Sequence, residues 1–347
     1  MFGFNNLKSI EVEITNRCQA KCPMCSRNYH SGIPNNLFKN VEWNLDDFKK
    51  ILSEEVLMQI KHLNFCGGLG DPLMVKDFLD IISYVKKINP MIKVDIHTNA
   101  SLRTTTFWKN LPKRLPKNHT VYFGIDGFSD THSLYRIGTN WNKIIDNAKT
   151  FIKAGGNAEA HFIQFKHNQH QYKDLEKFLL DIGFNSVDKI VTERFKTSSQ
   201  FSVLGKDGST LYNLESCIEN VDIGSEAEFE NLLQDVETLE KNMTNCCESL
   251  TNNSIYIDAY KCIFPCCYIA TNRYQMPIIG EHALNKRLPR IKKEIAAVIK
   301  DLEKENLFSL DIVSIKSILN NPEYLKIWHR YWIKQKLLLC NLLCGLD

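Results

Sequence analysis

The sequence predicts an α/β fold: a partial (β/α)6 barrel, open on one side, followed by a small α+β domain. Three observations carry this expectation. Strand-like apolar runs alternate with helical periods up to about residue 195, the alternation stops at a polar, glycine-containing stretch after residue 197, and twelve cysteines are concentrated early and late in the chain.

The strand-like runs lie at residues 9–15, 62–66, 93–97, 120–126, 158–165 and 186–192. Between them, apolar residues recur at helical spacing over 45–60, 75–88, 102–111, 141–154 and 172–182. Strands joined by such crossovers pair in parallel with right-handed connections. Eight units would close a barrel, so six leave a side open to a substrate larger than a metabolite. Residues 1–197 are therefore expected to form the barrel, 198–245 a linker or helical insertion, and 246–347 a second domain. After the barrel, 197–210 read as a linker or insertion and 215–240 as an acidic helix. In the last part, 254–259 and 262–264 read as a hairpin bounded by cysteines. The basic stretch 282–304 reads as an amphipathic packing helix, with cover for the barrel mouth or a partner contact as the alternatives.

Composition indicates an ordinary globular chain, 44% hydrophobic and 24% charged. A net charge of +3 is too small to imply a nucleic-acid partner, and no apolar run reaches the length of a membrane span. The N-terminal stretch MFGFNNLKSI has neither the basic nor the long apolar region of a secretory signal. A cytoplasmic location with reduced thiols is expected, so metal binding outranks disulfides.

Cys18, Cys22 and Cys25 directly follow the first strand, spaced C-x3-C-x2-C. A cubane iron-sulfur cluster takes one thiolate at each of four irons. Three cysteines therefore leave one iron open to a substrate or cofactor. Zinc is the weaker reading, because it prefers two C-x2-C or Cys/His pairs and the nearest histidine, His30, lies five residues past the last cysteine.

This loop resembles the signature of the radical SAM (S-adenosylmethionine) superfamily. The resemblance implies a [4Fe-4S] cluster whose open iron binds the amino and carboxylate groups of SAM. An electron from the cluster then splits SAM, and the resulting 5′-deoxyadenosyl radical abstracts hydrogen from a substrate. Met24 stands where the family often has an aromatic residue, and it can pack against the cluster or an adenine face. HLNFCGGLGDPL resembles the family's glycine-rich motif, with Gly-Asp-Pro for Gly-Glu-Pro. It implies that Gly67, Gly68, Gly70 and Asp71 hold the amino group. VDIHTNASL resembles the Thr-Asn-Gly turn, making Thr98 and Asn99 ribose contacts. Arg136 matches an arginine that meets the SAM carboxylate, which suits a bidentate guanidinium. Asp126 is expected at the barrel mouth, facing substrate or capping the next turn.

The late cysteines resemble an auxiliary-cluster domain of the SPASM type or its shorter Twitch form. No cysteine occurs between residues 268 and 339, which favours one auxiliary cluster. The expected ligands are Cys247, Cys266, Cys340 and Cys344, with Cys246 and Cys267 as rivals. Cys66, Cys217 and Cys262 read as buried thiols. The expected activity is hydrogen abstraction from an unknown peptide or small molecule, with oxidation assisted by that cluster. A flavodoxin or ferredoxin is the expected one-electron reductant. A peptide maturase of the SPASM type and a non-catalytic electron carrier are the alternatives.

Overall fold

The computed structural model describes residues 2–29, 33–34, 38–192, 195, 200–217, 247–273, 288–331, 337 and 340. Six parallel strands form the expected barrel series: β1 (Ser9–Val12), β2 (His62–Phe65), β3 (Lys93–Thr98), β4 (His119–Gly124), β5 (Ala158–Gln164) and β6 (Val187–Val191). They pair in chain order, with registers such as Glu11↔Asn64, Asn64↔Asp95, Asp95↔Thr120 and His161↔Asp188.

The crossovers carry α1 (Leu45–Ile51), α2 (Glu54–Gln59), α3 (Phe78–Ile88), α4 (Thr105–Arg114), α5 (His132–Tyr135), α6 (Trp141–Lys153) and α7 (Tyr172–Asp181). The helical period 45–60 is two helices rather than one. Ser53 breaks it, its hydroxyl accepting from the Val56 amide as the N-cap of α2. Asn44 caps α1 through a reciprocal capping box with Asp47.

Strand alternation divides the sheet into two unlike faces. Ile10, Val12, Leu63, Phe65, Val94, Ile96, Val121, Phe123, Ala160 and Phe162 are buried under the helices. Their alternates on the inner face, including Glu11, Asn64, His97, Tyr122, Glu159 and His161, are polar and only half-buried. A closed barrel fills its interior with branched apolar side chains. This one keeps a polar, accessible inside.

Two regions differ from expectation. Residues 200–217 are not merely a linker. β7 (Gln200–Leu204) and β8 (Thr210–Glu215) form an antiparallel hairpin, turning at Gly208 with φ +82°. Residues 216 and 217 are not helical, and the rest of the expected acidic helix lies outside the described residues.

Second, the cysteine-bounded hairpin β9 (Ser254–Ile257) and β10 (Ile263–Phe264) belongs to the barrel sheet. β9 pairs in parallel with β1, Glu11 opposite Tyr256, so among the described residues the sheet has eight strands in the order β10-β9-β1-β2-β3-β4-β5-β6. α8 (Glu248–Thr251) precedes the hairpin, and beyond it come α9 (Cys267–Arg273), α10 (Leu288–Lys304), α11 (Ile315–Leu319) and α12 (Pro322–His329). α10 buries Ile291, Ile295, Val298, Ile299 and Leu302, the stripe of a packing helix.

Candidate functional site

At the C-terminal ends of β1 to β5 lies a cavity of about 230 Å³. It is lined by Cys18, Cys22 and Cys25, by Gly67, Gly68 and Gly70, by Asp71, Thr98 and Asn99, and by Arg136. Four separate chain segments thus meet where the motif readings placed them.

The cysteine loop is held from both sides. Thr15 donates to the Val41 carbonyl at 2.7 Å, and the Asn16 amide donates to the Lys39 carbonyl at 2.7 Å and to the Tyr260 hydroxyl at 2.9 Å. Arg27 donates through Nε to the Asn16 carbonyl at 2.8 Å, and the Asn28 amide donates to the Cys22 carbonyl at 3.2 Å. Met24, 1% exposed, packs with Ala20, Cys22 and Tyr135. Val203 and Leu214 of the β7–β8 hairpin close the same cluster. That hairpin therefore covers the back of the cysteine loop, a role its polar sequence conceals.

Burial, with Asp71 and the neighbouring thiols, pushes the Cys18 thiol well above its ordinary value. Such crowding of thiols disfavours bare thiolates and suits metal cations that neutralise them. Among the described residues, no three Cys, His, Asp or Glu side chains are grouped to hold a single metal ion. Thiolates that each ligate a different corner of a cubane need no such convergence.

The glycine turn approaches the cysteine loop closely. A Cβ on Gly70 would stand 2.0 Å from the Thr15 carbonyl oxygen. The Asp71 amide donates to the Arg17 carbonyl at 2.9 Å and the Leu69 amide to Glu13 Oε1 at 2.7 Å. Glu13 is 1% exposed, and burial pushes its carboxyl up to about 8.

Asp71 is 2% exposed, and its carboxylate accepts from the Leu73 amide, the Thr98 hydroxyl, and the backbone and side-chain amides of Asn99. Burial raises its carboxyl despite those donors. Asp71 thus fastens the Thr98–Asn99 turn to the glycine turn. Asn99 also donates to Cys18 Sγ at 3.6 Å, tying the turn to the cysteine loop.

Arg136 enters from the end of α5. Its Nε donates to Asp126 Oδ2 at 2.5 Å, and Gly124 leaves room for the head group, since a Cβ there would lie 2.8 Å from Nη2. Burial opposes its charge, but Asp126 more than offsets this and raises the guanidinium above its ordinary value. Nη1 and Nη2 make no hydrogen bond among the described residues and border the cavity. They form an edge suited to a carboxylate.

Asp126 requires a correction. It is fully buried, accepting from Arg136 and from the Ile163 amide at 2.8 Å, while its own amide donates to His132 Nδ1. Its carboxylate orients Arg136 instead of facing substrate, because an unpaired buried carboxylate here would be too costly.

Of the late cysteines, Cys247 stands before α8, Cys266 before α9, Cys267 begins α9 and Cys340 is buried; Cys246 and Cys344 lie outside the described residues. Burial, with Glu11, Cys266 and Glu13 nearby, pushes the Cys267 thiol up.

The motif readings passed over His97, Tyr122 and His161, which also line the cavity. The signal was present as polar residues at alternate positions of otherwise apolar strands.

A partial parallel barrel whose strand ends gather three thiols, a glycine cradle and a carboxylate-seeking arginine defines a protein built to hold a cluster beside a small charged cofactor. Residues 12–182 match the family described as the Radical SAM superfamily, and this part of the chain is a radical SAM domain.

Among curated proteins, the chain is 25% identical over 190 residues to the tungsten-containing aldehyde ferredoxin oxidoreductase cofactor-modifying protein of Pyrococcus furiosus, covering 52% of this chain and 50% of that one. It is 24% identical over 183 residues to the PqqA peptide cyclase of Bradyrhizobium diazoefficiens, covering 52% and 45%. The chain spans about half the length of these relatives. Among solved structures, native anSMEcpe with bound AdoMet superposes with a TM-score of 0.55 at 15% identity, covering 92% of this chain and 82% of that one. Streptococcus suis SuiB bound to precursor peptide SuiA superposes at 0.53 and 15%, covering 93% and 67%. These structures establish the shared fold. No helix among the described residues is long and apolar enough to cross a membrane.

Proposed function

We propose that this protein is an enzyme that reductively cleaves SAM and abstracts a hydrogen atom from a peptide or protein side chain. The observation that carries the reading is the single cavity shared by Cys18, Cys22, Cys25, the glycine turn and the unpaired edge of Arg136. When bound, the [4Fe-4S] cluster supplies the electron that splits SAM to the 5′-deoxyadenosyl radical.

The chain's own residues position and shield. Cys18, Cys22 and Cys25 ligate three irons, Gly67, Gly68 and Gly70 admit the amino group to backbone acceptors, and Arg136 binds the carboxylate. Asp71 holds Thr98 and Asn99 at the ribose, and Met24 packs beside the cluster. The β7–β8 hairpin limits solvent access from behind. The open inner face of the barrel receives the substrate. A peptide substrate is supported by the peptide-modifying relatives, and a small molecule is the second reading.

Cys247, Cys266, Cys340 and Cys344 are proposed as the residues that would hold one auxiliary cluster, which would supply an electron acceptor near the substrate. A flavodoxin or ferredoxin is the proposed reductant, and 1–197, 198–245 and 246–347 remain the proposed functional divisions.

Anaerobic reconstitution followed by dithionite reduction tests the reading. The wild type should bind about four irons at the first site and release 5′-deoxyadenosine. Cys22→Ala should abolish that release. An iron-free wild type, or unchanged cleavage by Cys22→Ala, would refute it.

A further inference from the structure

His97, Tyr122 and His161, on adjacent strands β3, β4 and β5, form a compact cluster of three rings at the cavity, with His97 stacked on Tyr122 and His161 tilted 31° to Tyr122 and 5.3 Å from His97. The His97 and Tyr122 centroids are 4.6 Å apart with planes 9° from parallel, and Tyr122 and His161 are also 4.6 Å apart. A Cβ on Gly67 would touch His97, so the cluster adjoins the glycine turn.

Burial disfavours the charged form of both imidazoles. Burial, with His161 nearby, drives His97 down to about 4, and burial lowers His161 as well. The charged groups that bear on the Tyr122 hydroxyl are carboxylates, while Arg27 and Arg136 line the same cavity. After burial, the Asp95, Glu159 and Asp188 carboxylates help push its hydroxyl up to about 12. Asp95 is shared by Lys93 at 3.0 Å and His62 at 2.8 Å, but Glu159 has no ion pair among the described residues. Among the described residues, the Asp188 carboxylate pairs with His161 alone, at 3.6 Å.

A second observation points to a ligand with donors. On the same inner face, Asp95 Oδ1 and Asn64 Oδ1 are buried acceptors without a hydrogen-bond partner among the described residues, and the Asp95 side chain is only 7% exposed. Buried acceptors left unmet are costly and uncommon. Electron-rich rings ringed by carboxylates, with acceptors in excess, favour a cation over any other group.

We propose that this inner face is a subsite for a cationic side chain of the substrate, a lysine, an arginine or another amine, held against the Tyr122 ring with Glu159 and Asp188 as counter-charges. The subsite rests on the proposed function above, and it narrows the substrate to one carrying positive charge near the abstracted hydrogen.

The test is calorimetric binding of Nα-acetyl-lysine amide, Nα-acetyl-arginine amide and the neutral isostere Nα-acetyl-norleucine amide to the anaerobically reconstituted, SAM-loaded enzyme. The two cationic probes should bind at least about tenfold more tightly than norleucine, and their advantage should shrink with added salt. Asp188→Asn combined with Glu159→Gln, both at solvent-reachable positions, should reduce the cationic probes to the norleucine level. Tyr122→Phe should keep the preference, and Tyr122→Leu should lose it.

Equal binding of norleucine, no measurable binding of the cationic probes, or an unaltered preference in the double variant would overturn the subsite. Dithionite-driven release of 5′-deoxyadenosine by the wild type, measured without any probe, reads the SAM chemistry separately. Its absence would sink the proposed function, whereas its presence without a cation preference would sink the subsite alone.

Discussion

At the scale of single residues, the site depends on groups that hold other groups. Arg136 is oriented through one nitrogen by Asp126 and offers its remaining edge to the cavity. Arg136→Lys should keep the charge beside Asp126 but lose the planar fork. SAM affinity, measured by anaerobic equilibrium dialysis, should fall about tenfold, equivalent to roughly 1.4 kcal/mol, while cluster content stays unchanged.

Glu13, beneath the glycine turn, sets a pH dependence. Its folded value of about 8 exceeds the ordinary 4.5, so between those limits the folded chain retains a proton that the unfolded chain has lost. Stability should therefore decline as pH rises from about 4.5 to 8, by up to roughly 1.4 kcal/mol per pH unit. Urea unfolding at pH 6 and pH 8 should show this slope in the wild type and a flatter one in Glu13→Gln. Equal slopes would contradict the assignment.

At the scale of elements, the β7–β8 hairpin has a larger part than its sequence suggests. Its inward residues Val203 and Leu214, each 1% exposed, pack with Cys22, Met24 and Tyr135, and the Tyr212 hydroxyl donates to the Leu134 carbonyl at 2.7 Å. Leu214→Ala should destabilise the protein by about 2–5 kcal/mol. Because the hairpin backs the cysteine loop, the same variant should bleach faster in air when the cluster's visible absorption is followed. Unchanged oxygen sensitivity would show that the hairpin packs without shielding.

At the scale of the whole molecule, the sheet passes from the barrel into the later part of the chain. β9 lies beside β1, Trp43 Nε1 donates to the Ala259 carbonyl at 2.8 Å, and Lys261 bridges Asp47 at 2.7 Å and Asp311 at 3.1 Å. The strand that leads into the cysteine loop is thus an interior strand, paired on both edges. Ile257, fully buried in β9, tests this coupling. Ile257→Ala should cost about 2–5 kcal/mol and shift the unfolding followed by far-ultraviolet circular dichroism and by tryptophan fluorescence together. Separate transitions would mean that the later segment unfolds independently of the barrel.

Much of the site was legible because its chemistry depends on local spacing. Cys18, Cys22 and Cys25 lie within one loop, and the glycine turn, Thr98–Asn99 and Arg136 each follow a strand whose pattern is plain. Where strands end, a parallel barrel brings those ends to one rim. Asp126 was misread because a carboxylate near a strand end looks the same whether it faces substrate or a buried arginine. Only the contact with Arg136 separates the two.

The β7–β8 hairpin and the pairing of β9 with β1 were hidden for a different reason. A turn-rich polar segment does not reveal what it covers, and strand neighbours some 245 residues apart leave no periodic trace. By itself the sequence determined the cysteine loop, the motifs that gather at the strand ends and the barrel series, all set by short-range patterns. Tertiary structure alone decided which polar groups face the cavity, which carboxylates gather near Tyr122, and that the late hairpin joins the barrel sheet. Those outcomes depend on long-range packing and burial, which no local pattern encodes.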